Sequence, residues 1–498
     1  MLRSLTTPAQ VISAHNQILL LLREYAEWLF VSDSVSESLR RDEIEVVVAQ
    51  ERLLLSCWTE KGTRLWRVVA WDWNGQLLEL ELSRRMRLQL IPRTSAKAIT
   101  ATIRAARQMR CERLAQLAAH VHFGSVVERS GLSRGTKPGQ PGRYAQVLLK
   151  TRRGRIAVTG PVVSSKPGAV DAFLSSSLLW FRRKSVQQLW LIVSPELLKP
   201  LLYRLVLLRP ALKESIKVLT VDDDLTLLTE APCFEKEDLW RKKLARFPPV
   251  AAATASELSR AIVAEAPDAI DIVHSRHGET LRYFGLPFAR VRSLLGREKV
   301  WFGIGRMNRR LLDSSTSNDW NNLLSDLREH RSASALDHRH AFYRAAPEAW
   351  LESLLRRDIT KLDPGLIIAP LHAQFRTARG AKLGIRPIDL LALRQDGRLV
   401  VIELKVSEDR EHVLQGSDYW RRVEAHRRRG HIARAKLFGA RTIRDEAPLV
   451  YLVAPTLRVH PAFQTLAYCI SSDIEIYRFD INEDWRTGVR VMRRERVN

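Results

Sequence analysis

The sequence is short of cysteine, of acidic residues and of long apolar runs. Its four cysteines, Cys57, Cys111, Cys233 and Cys469, form no CxxC pair, which argues against a disulfide or zinc framework and favours a reducing cytoplasm. The longest apolar run near the N-terminus, Ile18 to Leu22, is flanked by polar side chains. Neither an export signal nor a membrane span is therefore expected.

Basic residues outnumber acidic ones by a wide margin. The chain of 498 residues has 80 Lys and Arg against 55 Asp and Glu, a net charge of +25 and a pI near 10.4. Such an excess attracts polyanions, and nucleic acid is the commonest polyanion. Apolar residues make up 45% of the chain, enough for a large core, and the length predicts about two to four domains.

One stretch, Arg386 to Lys405, sets charged side chains into apolar strands. Two apolar segments flank Gln395-Asp396-Gly397, which predicts a hairpin closed by a three-residue loop with its glycine in the left-handed conformation. In that register Asp389 falls directly opposite Glu403, at the roughly 4.5–5.5 Å Cβ separation of cross-strand pairs. A two-residue turn would instead place Asp389 opposite Leu404, on the wrong face.

These charged residues predict a cation site. The two strands are apolar on both faces, as in a sheet that is covered on both sides. Two carboxylates in such a place are costly unless a metal or another partner compensates them. Lys405 lies two residues after Glu403 and therefore shares its face of the sheet.

The spacing of these residues matches a nuclease motif. Pro-Ile-Asp, ending at Asp389, is followed by Glu-Leu-Lys from Glu403 to Lys405, and this pattern resembles the PD-(D/E)XK nuclease superfamily. The resemblance implies a restriction-endonuclease-like domain with a mixed central sheet. It also implies that Asp389, Glu403 and the carbonyl of Leu404 hold Mg²⁺, or Mn²⁺ in its place. Lys405 would orient the attacking water and stabilise the developing negative charge.

Flanking helices extend the resemblance. One predicted helix carries Glu348 and Glu352 one turn apart, and a later one carries Gln415 and Tyr419 four residues apart. This order resembles the C-terminal domain of NucS-type DNA endonucleases over about residues 347–480. It implies that Glu348 or Glu352, a choice that the sequence leaves open, completes the metal coordination. It implies further that Gln415 and Tyr419 position the lysine or the phosphate.

Basic residues cluster on and after the later helix. Only Glu424 interrupts a run that is otherwise positive. A basic surface beside a carboxylate cluster suits a phosphodiester backbone, so seven residues are predicted to bind nucleic acid. They are Arg421, Arg422, Arg427, Arg428, Arg429, Arg434 and Lys436.

An earlier segment repeats the hairpin pattern. Residues 144–162 align with residues 387–405 when Gly154 is superposed on Gly397. In both places a helix, an apolar strand, another helix and a closing strand follow, so an internal duplication is predicted. The alignment sets Gln146, Gly160 and Val162 on the aspartate, glutamate and lysine of the later copy. The first copy is therefore expected to be inactive.

These observations predict a mixed α/β (α+β) protein with four regions. The expected regions are 1–95, an N-terminal helix plus an antiparallel β-meander; 96–228, an α/β domain that is the inactive nuclease-like copy; 229–345, a linker and a middle β/α region; and 346–498, the PD-(D/E)XK domain.

The expected function is that of a Mg²⁺-dependent DNA endonuclease acting in repair or defence. The expected partner is DNA, including single-stranded or branched DNA; RNA and a homodimer are left open. Two other classes also stay open. One is a nucleic-acid-binding protein with a nuclease-like fold but no turnover, and the other is an interaction protein in which Asp389, Glu403 and Lys405 form a structural ion cluster.

Overall fold

The structure is a computed structural model that describes most of the chain. The described residues are 2–32, 35–59, 62–83, 86–92, 96–122, 124–135, 140–163, 167–184, 186–222, 225–241, 254–275, 278–294, 297–305, 309–375 and 388–498. Within them the protein is mixed α/β, with both antiparallel and mixed sheets. Part of the linker predicted within residues 229–345 lies outside the described residues.

The chain divides into two compact units. One contains Met1–Lys166, Lys184–Leu198 and Ile216–Ala231, and the other contains Pro167–Arg183, Lys199–Ser215 and Pro232–Asn498. The α-helices of the described residues are α1 Pro8–Arg23, α2 Ala96–Val121, α3 Val170–Arg183, α4 Pro195–Leu205, α5 Pro210–Glu214, α6 Asp238–Arg241, α7 Glu257–Ala264, α8 Ser317–His330, α9 Ala341–Arg344, α10 Pro347–Arg357, α11 His412–Arg427, α12 His431–Arg434 and α13 Phe463–Ala467. Across the described part of the chain, none of these helices is long and apolar enough to cross a membrane.

Sheet 1 is an antiparallel sheet of eight strands. They are β1 Arg3–Ser4, β2 Glu27–Ser32, β3 Val35–Arg40, β4 Ile44–Ala49, β5 Arg52–Thr59, β6 Gly62–Trp73, β7 Leu78–Leu82 and β8 Met86–Pro92. The order is β3-β2-β8-β7-β6-β5-β4, with β1 also paired to β6. Helix α1 starts at a capping box between Thr7 and Gln10 and buries Ile18 and Leu22 against the core around Trp28.

Sheet 2 is a mixed sheet of six strands. They are β9 Val126–Arg134, β10 Pro141–Thr151, β11 Gly154–Pro161, β12 Gln188–Val193, β13 Ile216–Val221 and β14 Leu228–Glu230. The strands lie in chain order; β11, β12 and β13 are parallel, and the other neighbours are antiparallel. Helix α2 covers one face, where Cys111 and Leu114 share a core cluster with Val147 and Val158.

Sheet 3 is an antiparallel meander of five strands. They are β15 Ile270–Ser275, β16 Gly278–Tyr283, β17 Leu286–Leu294, β18 Arg297–Phe302 and β19 Arg310–Leu311. Helix α8 packs Trp320 and Leu324 into a core with Leu281 and Phe288. A meander followed by a helix thus precedes each of the two six-stranded sheets.

Sheet 4 has six strands and is covered on both faces. They are β20 Leu366–Phe375, β21 Ile388–Arg394, β22 Leu399–Leu404, β23 Leu449–Pro455, β24 Ile476–Ile481 and β25 Val491–Arg496. One face packs on α10 through a cluster that includes Trp350 and Ile402. The other face packs on α11 through a cluster that includes Tyr419 and Val401.

Sheets 2 and 4 have the same topology. In sheet 4 the strands also lie in chain order, the third, fourth and fifth are parallel, and the other neighbours are antiparallel. A long helix, α3 or α11, connects the third strand to the fourth in each sheet. This repeated strand order agrees with the pattern that the sequence predicted for the two segments.

The two central hairpins differ in turn length. In sheet 4, the backbone N–H of Arg394 donates to the carbonyl of Arg398 at 2.8 Å across a three-residue loop. In sheet 2, Thr151 pairs directly with Gly154, so only two residues form the turn. An alignment that superposes the turn glycines therefore places the second strand of the first hairpin one residue away from its structural equivalent in sheet 4.

The packed faces of the two sheets give the correct equivalence. Val147 pairs with Val158, and both lie in the cluster under α2. Leu390 pairs with Ile402, and both lie in the cluster under α10. The two pairs occupy the same place in the two hairpins, so neighbouring residues can be compared from them.

In each hairpin, the next pair of residues away from the turn faces the opposite side of the sheet, away from α2 or α10. In sheet 4 they are Asp389 and Glu403. In sheet 2 they are Gln146 and Thr159, which pair with each other. Gln146 is therefore the counterpart of Asp389, as predicted, and Thr159 is the counterpart of Glu403.

The predicted assignments of Gly160 and Val162 are wrong by one residue. Gly160 pairs with Ala145, and Val162 belongs to the core under α2. By the corrected equivalence, the counterpart of Lys405 is Pro161. Sheet 2 thus carries an amide, a hydroxyl and a proline where sheet 4 carries two carboxylates and an ammonium group.

Candidate active site

The hairpin of β21 and β22 has the predicted register. Leu390 pairs with Ile402, and continuing this ladder by one step places Asp389 opposite Glu403. Gly397 has φ of 87°, and a Cβ atom there would come within 2.8 Å of a neighbouring carbonyl oxygen, so the turn requires glycine. The three-residue loop is confirmed. The proline of the motif precedes the described residues of this strand.

Hydrogen bonds tie three charged side chains together. Asp389 Oδ2 accepts the backbone N–H of Leu404 at 2.8 Å, and Lys405 Nζ donates to Glu403 Oε1 at 2.6 Å. Lys405 Nζ also lies 3.7 Å from Oδ2 of Asp409. Glu403 is 2% exposed and Lys405 is 6% exposed. Because charges buried to this degree are costly unless they are paired, the balance of charge determines whether the cluster is stable.

The site is electrostatically short of positive charge. Burial raises the pKa of Glu403 well above its usual range, and the charge of Asp389 raises it further, although Lys405 opposes both effects. Burial also raises the pKa of Asp389. For Lys405, burial lowers the pKa, but the charges of Glu403, Glu348 and Asp389 and the hydrogen bond to Glu403 together outweigh burial, so the pKa is raised. One ammonium group is therefore shared by two closely placed carboxyl groups, an arrangement that a bound cation would relieve.

Two buried oxygens lack hydrogen-bond donors. Within the described residues, Oε2 of Glu403 and Oε1 of Gln415 have no hydrogen-bond partner, although buried polar atoms are normally satisfied. Oxygen atoms of this kind are the ligands that Mg²⁺ prefers, so the site fits such an ion. No group of three or more His, Cys, Asp or Glu side chains suited to a metal occurs in the described part of the chain. Further ligands would have to be backbone carbonyls, water or substrate.

Helix α10 brings two glutamates near this site. Glu352 is 3% exposed, and its Oε1 lies 3.4 Å from Nη1 of Arg282. Burial raises the pKa of Glu352 to about 7; Arg282 opposes this shift and Asp389 adds to it. Glu348 is exposed, and its charge acts on the site lysine. The two glutamates thus reach different members of the cluster.

Sheet 3 supplies the arginine that holds Glu352. Arg282 is 4% exposed and pairs with Asp271 at 2.6 Å. Asp271 also accepts a hydrogen bond from Arg356 of α10 at 2.7 Å. This network joins sheet 3 to α10. Sequence reasoning missed it, because no local motif marks residues that meet across such a separation in the chain.

Helix α11 contributes the predicted glutamine and tyrosine. Gln415 Nε2 donates to Oε2 of Glu411 at 3.3 Å. Tyr419 is 4% exposed; burial raises the pKa of its hydroxyl, and the charges of Glu403 and Asp389 raise it further. Both predicted residues therefore lie on the helix that covers the carboxylate face of sheet 4, and Tyr419 is within electrostatic reach of the two carboxylates.

A histidine that sequence reasoning missed also contacts the site. His412 Nε2 lies 3.2 Å from the backbone carbonyl of Glu403. Burial lowers the pKa of His412 to about 3, and the charge of Lys405 contributes, so the imidazole is neutral and donates Nε2–H to that carbonyl. The only sequence signal was its position three residues before Gln415 on one helix face.

Several of the predicted nucleic-acid-binding residues have partners within the protein. Glu424, 1% exposed, accepts hydrogen bonds from Arg427 and Arg428, each at 2.6 Å. Arg421 pairs with Asp418 at 2.6 Å. Glu424, the residue that interrupts the basic run, thus anchors part of it.

The remaining basic residues divide by exposure. Arg422 is 7% exposed and lies over the ring of Tyr419 at 5.1 Å. Arg429 donates to backbone carbonyls, and Arg434 donates to the carbonyl of Arg429. Arg434 and Lys436 are exposed. The run is therefore part structural network and part accessible surface.

Comparisons with known proteins do not show a family for this chain. No family model matches the chain, and no curated protein matches it. Among solved structures, the chain is similar to Pelota from Archaeoglobus fulgidus, with 14% identity over 42% of this chain and a TM-score of 0.12. The match spans about half of the Pelota chain, 54% of its length. A similarity with this TM-score carries no argument about fold or function.

Proposed function

We propose that the chain is a metal-dependent endonuclease that hydrolyses phosphodiester bonds of DNA. The observation that carries the proposal is the pairing of Asp389 with Glu403 on adjacent buried strands, with Lys405 bonded to Glu403 and Glu403 Oε2 without a partner in the described residues. The mixed sheet with α10 and α11 on opposite faces supports a PD-(D/E)XK-type domain. Residues 346–498 form this proposed catalytic domain.

The residues present would hold a divalent cation through oxygen. Asp389, Glu403 and the backbone carbonyl of Leu404 are the proposed ligands, with Mg²⁺ as the preferred ion and Mn²⁺ as a substitute. When bound, the ion polarises the scissile phosphate and lowers the pKa of a bound water. Glu348 or Glu352 would complete the coordination through water or a second metal ion.

The protein's own groups prepare the reaction. The Lys405 ammonium stays protonated because its pKa is raised, so it can orient a water molecule and stabilise negative charge on the phosphate. Neutral His412 fixes the backbone of Glu403. Arg282 holds Glu352 in place. Each of these contacts restricts a ligand or a charged group before substrate binds.

DNA is the proposed substrate because the chain is strongly cationic. A net charge of +25 favours a long polyanion over a small phosphodiester. Arg428, which is 51% exposed at its side chain, together with the exposed Arg434 and Lys436, offers phosphate contacts near the end of α11. Repair and defence are both consistent with this chemistry.

The test is a cleavage panel with labelled single-stranded, duplex and branched DNA, and with RNA. Wild-type protein should cut at least one DNA substrate with Mg²⁺ or Mn²⁺ and none in excess chelator. Asp389→Asn should lose more than about 100-fold in rate, because it weakens a direct ligand, while retaining DNA affinity. Gln146→Ala, the matched change in sheet 2, should cut normally. DNA binding without cleavage under every condition would contradict the proposal in favour of a non-catalytic binding protein.

A further inference from the structure

The connections between the fourth and fifth strands of sheets 2 and 4 end in the same way. In sheet 2 the connection contains α4, which ends at Leu205, and Leu208 follows two turn residues later. In sheet 4 it contains α13, which ends at Ala467, and Ile470 follows two turn residues later. Leu208 is 2% exposed and Ile470 is 0% exposed. Residues Lys199–Ser215 of the first connection and the whole of the second connection belong to the same compact unit.

These equivalent segments pair with each other. Leu208 and Ile470 form an antiparallel β-bridge. On one side of the bridge the N–H of Arg209 donates to the carbonyl of Cys469 at 2.9 Å, and on the other side the N–H of Ser471 donates to the carbonyl of Leu207 at 2.8 Å.

The pairing is symmetric under exchange of the two segments. Exchanging each residue for its counterpart in the other segment turns the first hydrogen bond into the second. Every antiparallel bridge has this reciprocity, but here its two strands also come from equivalent places in two sheets of the same topology, as in a two-fold contact between like subunits. Here both sides of the contact lie in one chain.

The helices that follow the third strand of each sheet also meet at one buried charge. Arg204 of α4 pairs with Asp171 of α3 at 2.9 Å and with Asp418 of α11 at 3.1 Å. The three side chains are 12%, 9% and 7% exposed. Burial raises the pKa of Asp418, but the charges of Arg204, Arg421 and Arg422 together outweigh burial and lower it to about 2. Buried, charge-assisted contacts of this kind are costly to break.

We infer that the chain is an internal pair of related halves with a single working site, and that it therefore cuts one strand of duplex DNA per encounter without a second copy of itself. The inference rests on the proposed function. The counterparts of Asp389, Glu403 and Lys405 are Gln146, Thr159 and Pro161, none of which can replace a carboxylate pair with its lysine. The contact through which two one-site subunits could pair is already made inside the chain.

The chemistry produces a nick. One water molecule adds across one P–O ester bond, which leaves one phosphate monoester and one hydroxyl group and releases a proton to solvent. The complementary strand runs in the opposite direction, and its phosphodiester would need a second site related by two-fold symmetry or a second binding event. One site per chain therefore leaves that strand intact.

The test is the course of cleavage of supercoiled plasmid with Mg²⁺, with DNA in excess over protein. Open-circular DNA should accumulate before any linear DNA, at a rate proportional to protein concentration, and light scattering should give the 57.0 kDa mass of one chain. Adding an equal amount of Glu403→Gln protein should leave the wild-type rate unchanged, because no mixed dimer forms.

The contrary outcomes are distinct. Linear DNA as the first product, a rate that rises with the square of protein concentration, or inhibition by the Glu403→Gln protein would overturn the single-site inference while upholding the nuclease proposal. A complete absence of cleavage of any DNA with Mg²⁺ or Mn²⁺ would overturn both.

Discussion

Sheets 2 and 4 place six strands in the same order and directions, yet only sheet 4 buries an ion cluster at the compared position. Asp389 and Glu403 occupy paired positions on the face toward α11, and Gln146 and Thr159 occupy the equivalent positions in sheet 2. The same scaffold therefore exists with and without the charged group. The comparison teaches that topology alone carries no chemistry, which depends on a few side chains set into the strands.

The helices that precede the two sheets show the same difference between an apolar and a charged environment. Helix α2 meets its sheet through apolar contacts such as Cys111 and Leu114. Helix α10 makes apolar contacts through Trp350 but also buries Glu352 beside Arg282. The charged environment of sheet 4 thus extends beyond the hairpin to a neighbouring helix and to sheet 3.

The largest stability difference between the two sheets should follow loss of the site lysine. Lys405→Met leaves the buried Glu403 carboxyl without its 2.6 Å partner, so metal-free protein at pH 7 should lose about 4 kcal/mol of unfolding free energy. The matched change Pro161→Ala should cost less than about 1 kcal/mol. Urea unfolding in chelator measures both values. Equal losses in the two variants would remove the distinction between the sheets.

The symmetric contact predicts two matched losses. Leu208→Ala and Ile470→Ala each create a cavity at a buried bridge residue, so each should lower the unfolding free energy by about 3 kcal/mol. Their values should agree within about 1 kcal/mol, because the two residues are partners in one bridge and occupy equivalent places in the two connections. Thermal or urea unfolding provides the measurement. A large loss in one variant alone would show that the two sides of the contact contribute unequally to the unfolding free energy.

The smallest of these effects is a pH dependence confined to the helix before sheet 4. Glu352 has a pKa raised from 4.5 to about 7 in the folded protein, so the folded state retains a proton that the unfolded state releases. Its contribution is fully present below about pH 4.5 and is lost as the pH rises through 7. Glu352→Gln should therefore match wild type at pH 4 and exceed its unfolding free energy by about 2 kcal/mol at pH 8.

The control for that titration lies on the helix before sheet 2. Glu112 of α2 is exposed, and Glu112→Gln should leave the unfolding free energy unchanged at both pH values. Unfolding curves collected from pH 4 to pH 8 compare the two variants. Parallel curves for wild type and Glu352→Gln would exclude an unfavourable charge at Glu352.

The register of the sheet 4 hairpin could be predicted because local chemistry determines it. The Gln395-Asp396-Gly397 loop supplies a glycine for the left-handed position, and the strands around it are apolar on both faces. The first hairpin misled the alignment because its two-residue turn, Arg152-Arg153, contains no glycine or asparagine. Its glycine, Gly154, instead begins the next strand.

The rest of the site depends on contacts between distant residues. Arg282, Asp271 and His412 carry no motif, and only the folded arrangement brings them to Glu352 or to the backbone of Glu403. For the basic residues on and after α11, the charge was easy to recognise but the contacts were hard to predict. Their charge was evident in the sequence, but their pairing with a buried glutamate was not, because composition says nothing of which side chains turn inward.

The central claim is that the carboxylate pair of sheet 4, and not its counterpart in sheet 2, performs hydrolysis. The most direct measurement is the single-turnover cleavage rate of a labelled duplex with Mg²⁺ for wild type, Glu403→Gln and Thr159→Val. The account predicts that Glu403→Gln loses more than about 100-fold in rate with unchanged DNA affinity, while Thr159→Val cuts like wild type. Wild-type cleavage by Glu403→Gln, or an equal loss in Thr159→Val, would contradict it.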